Sequence, residues 1–253
     1  IGVDGRVRVI AVRPRCVRAR FAHRRARGIE GLDREIAGGK AVAIGVDVAQ
    51  LAAVAVRVNA VADHLGSIGG TTDLVDGVVF QARAIQDAGG TPILLPLVWL
   101  AANAASEEDY VTVYGEVIRA LDGPLFLHWL GEMFHPGLAG YFPGKSFERI
   151  LALDPGKVRG VKLSLLDAEH ERGVRADILE RDQIVLTGDD FHFADLIAGD
   201  DPAVLRTTRI GAREVPLGRF SHALLGVFDA IARPVSLAFA HLAEGDVDTY
   251  RRV

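Results

Sequence analysis

The chain carries 29 basic residues, of which only four are lysines, at positions 40, 145, 157 and 162. Where a positive charge alone is wanted, this sequence writes arginine. Arginine cannot shed its proton to act as an amine nucleophile, whereas lysine can once desolvation penalises the ammonium. Lys162 lies in the run Val158-Arg159-Gly160-Val161-Lys162-Leu163-Ser164, an apolar strand that would supply that desolvation. A neutral amine there can attack a carbonyl and form a Schiff base, an electron sink for making or breaking the neighbouring C–C bond. The period of two places Ser164 on the face of Lys162, with Val161 and Leu163 on the other. The competing reading is a strand-end lysine in an ion pair or reaching out to solvent.

Other side chains fall into the same pattern. His128 ends the apolar run Pro124-Leu125-Phe126-Leu127-His128 and is a candidate proton shuttle, or alternatively a hydrogen-bonded core histidine. Asp189 and Asp190 follow Gly188 after another strand. One is expected to cap a helix beginning near Phe191 and the other to face the site, where like charges raise a pKa. Ser221 is a candidate helix cap or substrate-carboxylate ligand. The eight histidines form no His-x-His or His-Glu-x-x-His motif, and the single cysteine, Cys16, excludes a Cys-based zinc site and an internal disulfide. No metal site is assigned and no cofactor is expected, although a metal-dependent barrel lyase or isomerase stays open as an alternative.

The elements that must position these groups alternate. Apolar runs cover residues 41–48, 92–96, 124–130, 158–165 and 184–188, and helical patterns cover 50–64, 72–88, 106–121 and 221–242, the last interrupted at Pro234. Short runs lacking polar alternation are strands buried on both faces, and helices between them make parallel β/α units. No Gly-rich dinucleotide turn or P-loop occurs in the right context. Instead polar residues stand at successive strand ends, namely Asp47, His128, Lys162 with Ser164, and Thr187 with Asp189. Convergence of that kind is how a barrel builds its site, so the expected fold is an α/β (β/α)8 TIM barrel. It is read as one domain over residues 1–253, with C-terminal helices from about 221.

Composition bounds the function class. At 253 residues, with 49% hydrophobic and 25% charged side chains, the chain has the make-up of a globular protein. Its net charge of -4 argues against a general nucleic-acid binder, despite ten arginines among the first 37 residues. Pro92, Pro96 and Asn103 interrupt its longest uncharged stretch, so no membrane span is expected. A cytoplasmic location is the expectation.

These motifs resemble the dihydrodipicolinate synthase/N-acetylneuraminate lyase superfamily of class I aldolases. Gly89-Gly90-Thr91-Pro92-Ile93-Leu94-Leu95-Pro96 resembles its Gly-Ala-Asp-apolar-Pro strand, and Ser106-Glu107-Glu108 its Ser-x-Glu helix start. Gly160-Val161-Lys162-Leu163-Ser164 is similar to the Gly-x-Lys-x-Ser strand bearing the Schiff-base lysine, and Thr187-Gly188-Asp189-Asp190 to the Ser-Gly-Asp-Asp turn that follows it. His128 stands where the superfamily has its proton-relay tyrosine. The segments His128-Trp129-Leu130-Gly131-Glu132-Met133-Phe134 and 221–232 most resemble an uncharacterised bacterial branch. The likeness spans residues 65–245. The carboxylate-binding Gly-Thr-Thr-Gly-Glu loop is not at its expected place, and the first 65 residues are short for two β/α units, so loops are expected to be missing there. The resemblance implies a Schiff-base-forming aldolase or lyase-like enzyme acting on a keto acid or aldehyde. Lys162 would be its nucleophile, His128 its relay, and Ser164, Asp189, Asp190 and Ser221 its substrate-binding groups. A small-molecule carbonyl partner and a homo-oligomer follow by the same analogy. A non-catalytic or regulatory barrel relative is the alternative of a different class.

Overall fold

The computed structural model describes residues 53–56 and 68–253; the Arg-rich segment 1–37 and the strand expected over 41–48 lie outside the described residues. Six strands form one parallel sheet: β1 (Ala53–Val56), β2 (Thr91–Leu94), β3 (Leu125–Leu130), β4 (Val158–Ser164), β5 (Ile184–Thr187) and, after an excursion described below, β8 (His222–Ala223). Their order in space is their order in sequence, β1-β2-β3-β4-β5-β8, and every pairing is parallel. Helices fill the crossovers: α1 (Thr71–Asp87), α2 (Val98–Asn103) with α3 (Glu107–Ala120), α4 (Ser146–Leu153), α5 (Ala168–Leu179) and α6 (Phe193–Ala198). The described residues all fall within one compact unit. Among the described residues no helix is long and apolar enough to cross a membrane.

Local chemistry sets several boundaries. Ser106 opens α3, where the Asp109 carboxylate accepts from its backbone N–H at 2.9 Å, and Glu107, Glu108 and Asp109 lie where the helix dipole favours negative charge. Asp167 caps α5 by accepting from His170 N at 3.0 Å.

Strand β1 falls inside the segment whose pattern reads as a helix over 50–64. Its register against β2 runs from Ala53 opposite Thr91 to Val56 opposite Leu94, so sheet pairing overrides the local pattern. The sequence also reads 221–242 as one helix. The structure makes β8, then a 3-10 turn at Gly226–Asp229, then α7 (Ala232–Ala243) and α8 (Val247–Arg252). Pro234 lies in the first turn of α7, where its missing N–H costs nothing. Residues 201–219, not recognised as strands in the sequence, form an antiparallel hairpin of β6 (Asp201–Ile210) and β7 (Arg213–Arg219).

The sheet has two unlike faces. Leu94, Leu125, Leu127, Val158, Val161, Leu163 and Val185 pack with α1, α3, α4 and α5 in the main core. Ile93, Phe126, Ile184 and Leu186 point the other way and pack against Ile210, Val215 and Leu217 of the hairpin. Arg159, at the start of β4, donates to Thr208 of the hairpin and, at 3.0 Å, to the Asp182 carbonyl, tying the hairpin to this inner face.

A β-bulge in β4 decides which face the site lysine takes. The register steps from Leu125 opposite Val158 to Leu127 opposite Val161, so β4 carries one extra residue between them. Without that insertion, strict alternation would send Lys162 to the same helical face as Val158. Gly160 makes the bulge possible. Its φ is +142°, and a Cβ there would lie 1.9 Å from the Ile184 carbonyl oxygen. Only glycine tolerates both. The Gly160→Ala variant is therefore expected to lose about 3 kcal/mol or more of stability, measured by urea unfolding.

Candidate functional site

The bulge presents Lys162 on the inner face of β4, opposite His128 of β3 on one side and Leu186 of β5 on the other. Ser164 follows two residues later on the same face, and its hydroxyl is 3.0 Å from His128 Nε2. An amine, an imidazole and a hydroxyl thus meet at the C-terminal ends of two adjacent strands. Ser164 and His128 are buried and Lys162 is half-buried. Gly188, directly after β5, closes over them. Its N–H donates to the Leu163 carbonyl at 2.7 Å, and a Cβ on Gly188 would lie 2.2 Å from Ser164 Oγ and 3.0 Å from Lys162 Cε. A side chain at 188 would therefore displace the Ser164 hydroxyl and crowd the end of the Lys162 side chain.

Burial and charge set the protonation states here. Burial holds the Lys162 ammonium below its ordinary pKa, and the nearby Asp190 carboxylate opposes that shift. Burial, reinforced by the Lys162 charge, pushes His128 down to about 3, so the imidazole is neutral at physiological pH. The lysine is thus drawn toward its nucleophilic form beside a base that carries no resting charge.

The structure separates the remaining residues singled out in the sequence. Asp190 is exposed and acts on Lys162 through space. Asp189 does not line the inner face. Its Oδ1 accepts from the Phe191 and His192 backbone N–H groups at 2.8 and 2.9 Å, and its Oδ2 is 2.8 Å from His192 Nδ1. With 1% of its surface exposed, it shapes the turn. Ser221 is likewise turned away. It lies on the helical side of the sheet, where its hydroxyl accepts from Arg175 Nη1 at 3.4 Å, because alternation along β8 gives the inner face to His222.

Behind β5, on that helical side, is a buried polar cluster absent from the sequence reading. The Thr187 hydroxyl donates to Glu171 Oε2 at 3.0 Å, while Glu171 Oε1 is buried without a partner. Burial pushes the Glu171 carboxyl up to about 7. Arg175 reaches Asp200 at 3.0 Å and the Leu196 carbonyl at 3.2 Å. Glu171 and Arg175 share one face of α5 with the buried Val174 and Ile178. Two charged residues at i and i+4 within an apolar stripe were the available signal. Among the described residues no group of three or more His, Cys, Asp or Glu side chains converges as a metal site.

Fold and site together define an α/β protein with a desolvated lysine at the C-terminal edge of a parallel sheet. The chain belongs to the family described as "Protein of unknown function (DUF993)", whose model matches residues 26–253. Among solved structures it is similar to a protein provisionally identified as a dihydrodipicolinate synthetase from Pseudomonas aeruginosa, with a TM-score of 0.51 and 16% identity. That match covers 70% of this chain and 52% of the other, so the chain spans about half the length of that neighbour. No curated protein matches. The likeness places the fold in the TIM-barrel class; among the described residues the sheet runs from β1 to β8 without a closing pair.

The buried groups pull stability in opposite directions with pH. His128 and His222, whose Nε2 donates to the Pro216 carbonyl at 2.9 Å, have folded pKa values of about 3 and about 4 against 6.5 unfolded, so their contribution is lost as pH falls through 6.5. Glu171 is raised from 4.5 to about 7, so its contribution is lost as pH rises through that window. Between these limits the unfolded chain holds two extra histidine protons and lacks one carboxyl proton, and stability rises with pH. Replacing Glu171 with Gln removes the opposing proton. The slope of unfolding free energy between pH 5 and 6 is expected to go from about 1.4 to about 2.7 kcal/mol per pH unit, read from urea unfolding at several pH values.

Proposed function

We propose that this protein is a Schiff-base-forming aldolase or lyase-like enzyme of the dihydrodipicolinate synthase/N-acetylneuraminate lyase superfamily, acting on a small keto acid or aldehyde. The observation that carries the reading is the juxtaposition on one sheet face of the desolvated Lys162 amine, the neutral His128 imidazole and the Ser164 hydroxyl. The fold likeness supports it, because a lysine at a strand's C-terminal end lies where barrel enzymes place their chemistry.

In this reading the Lys162 nitrogen attacks the substrate carbonyl carbon. A C–N bond forms, the C=O π bond breaks, and a proton passes from the nitrogen to the oxygen to give a neutral carbinolamine. The ammonium charge that held down the basicity of His128 is gone at that stage. The imidazole, relieved of that charge, is more basic and can take a proton from solvent and deliver it to the hydroxyl, which leaves as water while the nitrogen lone pair closes the C=N bond. Ser164, bonded to Nε2, orients the ring. The resulting iminium withdraws electrons from the adjacent carbon, the requirement for C–C bond making or cleavage.

Borohydride reduction in the presence of pyruvate and a panel of small aldehydes is expected to leave one covalent adduct, seen by intact mass and mapped to Lys162, and absent from Lys162→Ala. No adduct with any carbonyl compound, or an adduct that survives the substitution, overturns the proposal. The trapping rate should rise with pH and level off below the 10.5 of an ordinary lysine. His128→Gln should slow turnover of a substrate found in this way by about 100-fold or more, the usual size of a general acid–base contribution.

A further inference from the structure

On the helical side of the sheet, Glu171 is bonded to a strand end whose other side carries the lysine site. The links are continuous. Glu171 Oε2 accepts from the Thr187 hydroxyl at 3.0 Å, and Thr187 Oγ1 in turn accepts from the Asp189 N–H at 3.3 Å. Asp189 then fixes the following turn through the Phe191 and His192 N–H groups. Between Thr187 and Asp189, Gly188 is pressed against Ser164 Oγ and Lys162 Cε, and the next residue, Asp190, supplies the negative charge felt by the amine.

We propose that Glu171 is a positioning residue of the Lys162 site: through the Thr187 hydroxyl it holds the Gly188–Asp190 turn, and so the distance of the Asp190 carboxylate from the amine. The geometry explains an otherwise costly arrangement. A buried carboxyl with one oxygen unpartnered is a stability liability, and an apolar side chain on this face of α5 would pack against the strand without it. What the carboxyl supplies is an acceptor for a strand-end hydroxyl that must itself receive the Asp189 N–H. A threonine whose hydrogen is directed to Glu171 leaves its lone pairs for that N–H.

The groups around each end are defined. Lys162 is faced by His128 from β3, by Ser164 from its own strand and by Asp190 from the turn. Glu171 is faced by Arg175 from its own helix, by Thr187 and Asp189 from β5 and the turn, and by Ser221 ahead of β8. Loosening the turn takes away the Asp190 attraction and leaves desolvation unopposed, so the Lys162 pKa should fall further.

The inference rests on the Lys162 site proposed above, and its test reads the amine whether or not it ever forms an imine. Only four lysines occur, so NMR of protein carrying 13C-labelled lysine resolves their titrations, with Lys162 assigned from Lys162→Arg. Thr187→Val and Glu171→Leu are expected to lower the Lys162 midpoint by about half a pH unit or more, part of the one to three units that a direct neighbouring charge supplies. Thr187→Ser and Glu171→Gln, which keep the hydroxyl and the acceptor, should restore it. In an Asp190→Asn background, Glu171→Leu should add nothing. An unchanged Lys162 titration in folded Thr187→Val overturns the proposal. So does an equal shift from Glu171→Leu with and without Asp190. Should Glu171→Leu fail to fold, Thr187→Val and its serine counterpart carry the test.

Discussion

The extra residue in β4 is the constraint on which the rest of the site depends. A strand gives alternate residues to alternate faces, so one inserted residue exchanges the faces of everything beyond it. Upstream of the bulge Val158 belongs to the helical core; downstream Val161 and Leu163 do, and Lys162 and Ser164 pass to the inner face. Gly160 accommodates the insertion because its backbone conformation and its approach to the Ile184 carbonyl both exclude a side chain. The lysine's environment is therefore a consequence of backbone geometry two residues earlier.

Given that placement, a single physical effect, removal from water, acts on three groups with different outcomes. For Lys162 it favours the neutral amine, for His128 the neutral imidazole and for Glu171 the neutral carboxyl, because burial always penalises the charged form. Specific charges then modulate each. Asp190 restores part of the lysine's proton affinity, while Lys162 removes more of the histidine's. The inner face can thus hold a nucleophile and a base side by side without a permanent ion pair, which would bind the amine's lone pair to a proton.

The hairpin has a complementary role. Its residues Ile210, Val215 and Leu217 cover the apolar inner-face residues of β2, β3 and β5. Arg159 and the Arg206–Asp182 ion pair at 2.6 Å attach it to the rest of the molecule. The His222 hydrogen bond to the Pro216 carbonyl joins it to β8. One end of the sheet's inner face is closed by packing, and the polar residues gather toward the C-terminal ends of the strands.

Much of the fold was legible in one dimension. The apolar runs at 124–130, 158–165 and 184–188 match β3, β4 and β5 to within a residue, since doubly buried strands leave an unbroken hydrophobic signature. The acid-rich start of α3 was legible for an equally local reason, the capping of free N–H groups. The hairpin does not stand out in the sequence although its β6 strand has alternating burial, and β8 reads as the start of a helix because two residues are too few to show a period.

The rarity of lysine, and the apolar neighbours of Lys162, are properties of composition and order, and they single out the amine without reference to the fold. Its pairing with His128, the cap made by Asp189, the turning away of Ser221 and the Glu171–Thr187 contact join residues from 2 to 46 positions apart. Such contacts follow from strand register and from which face each strand offers, and those are settled only when separate segments pack together. A bulge of one residue carries no periodicity of its own, so its effect on the site emerged from the tertiary structure alone.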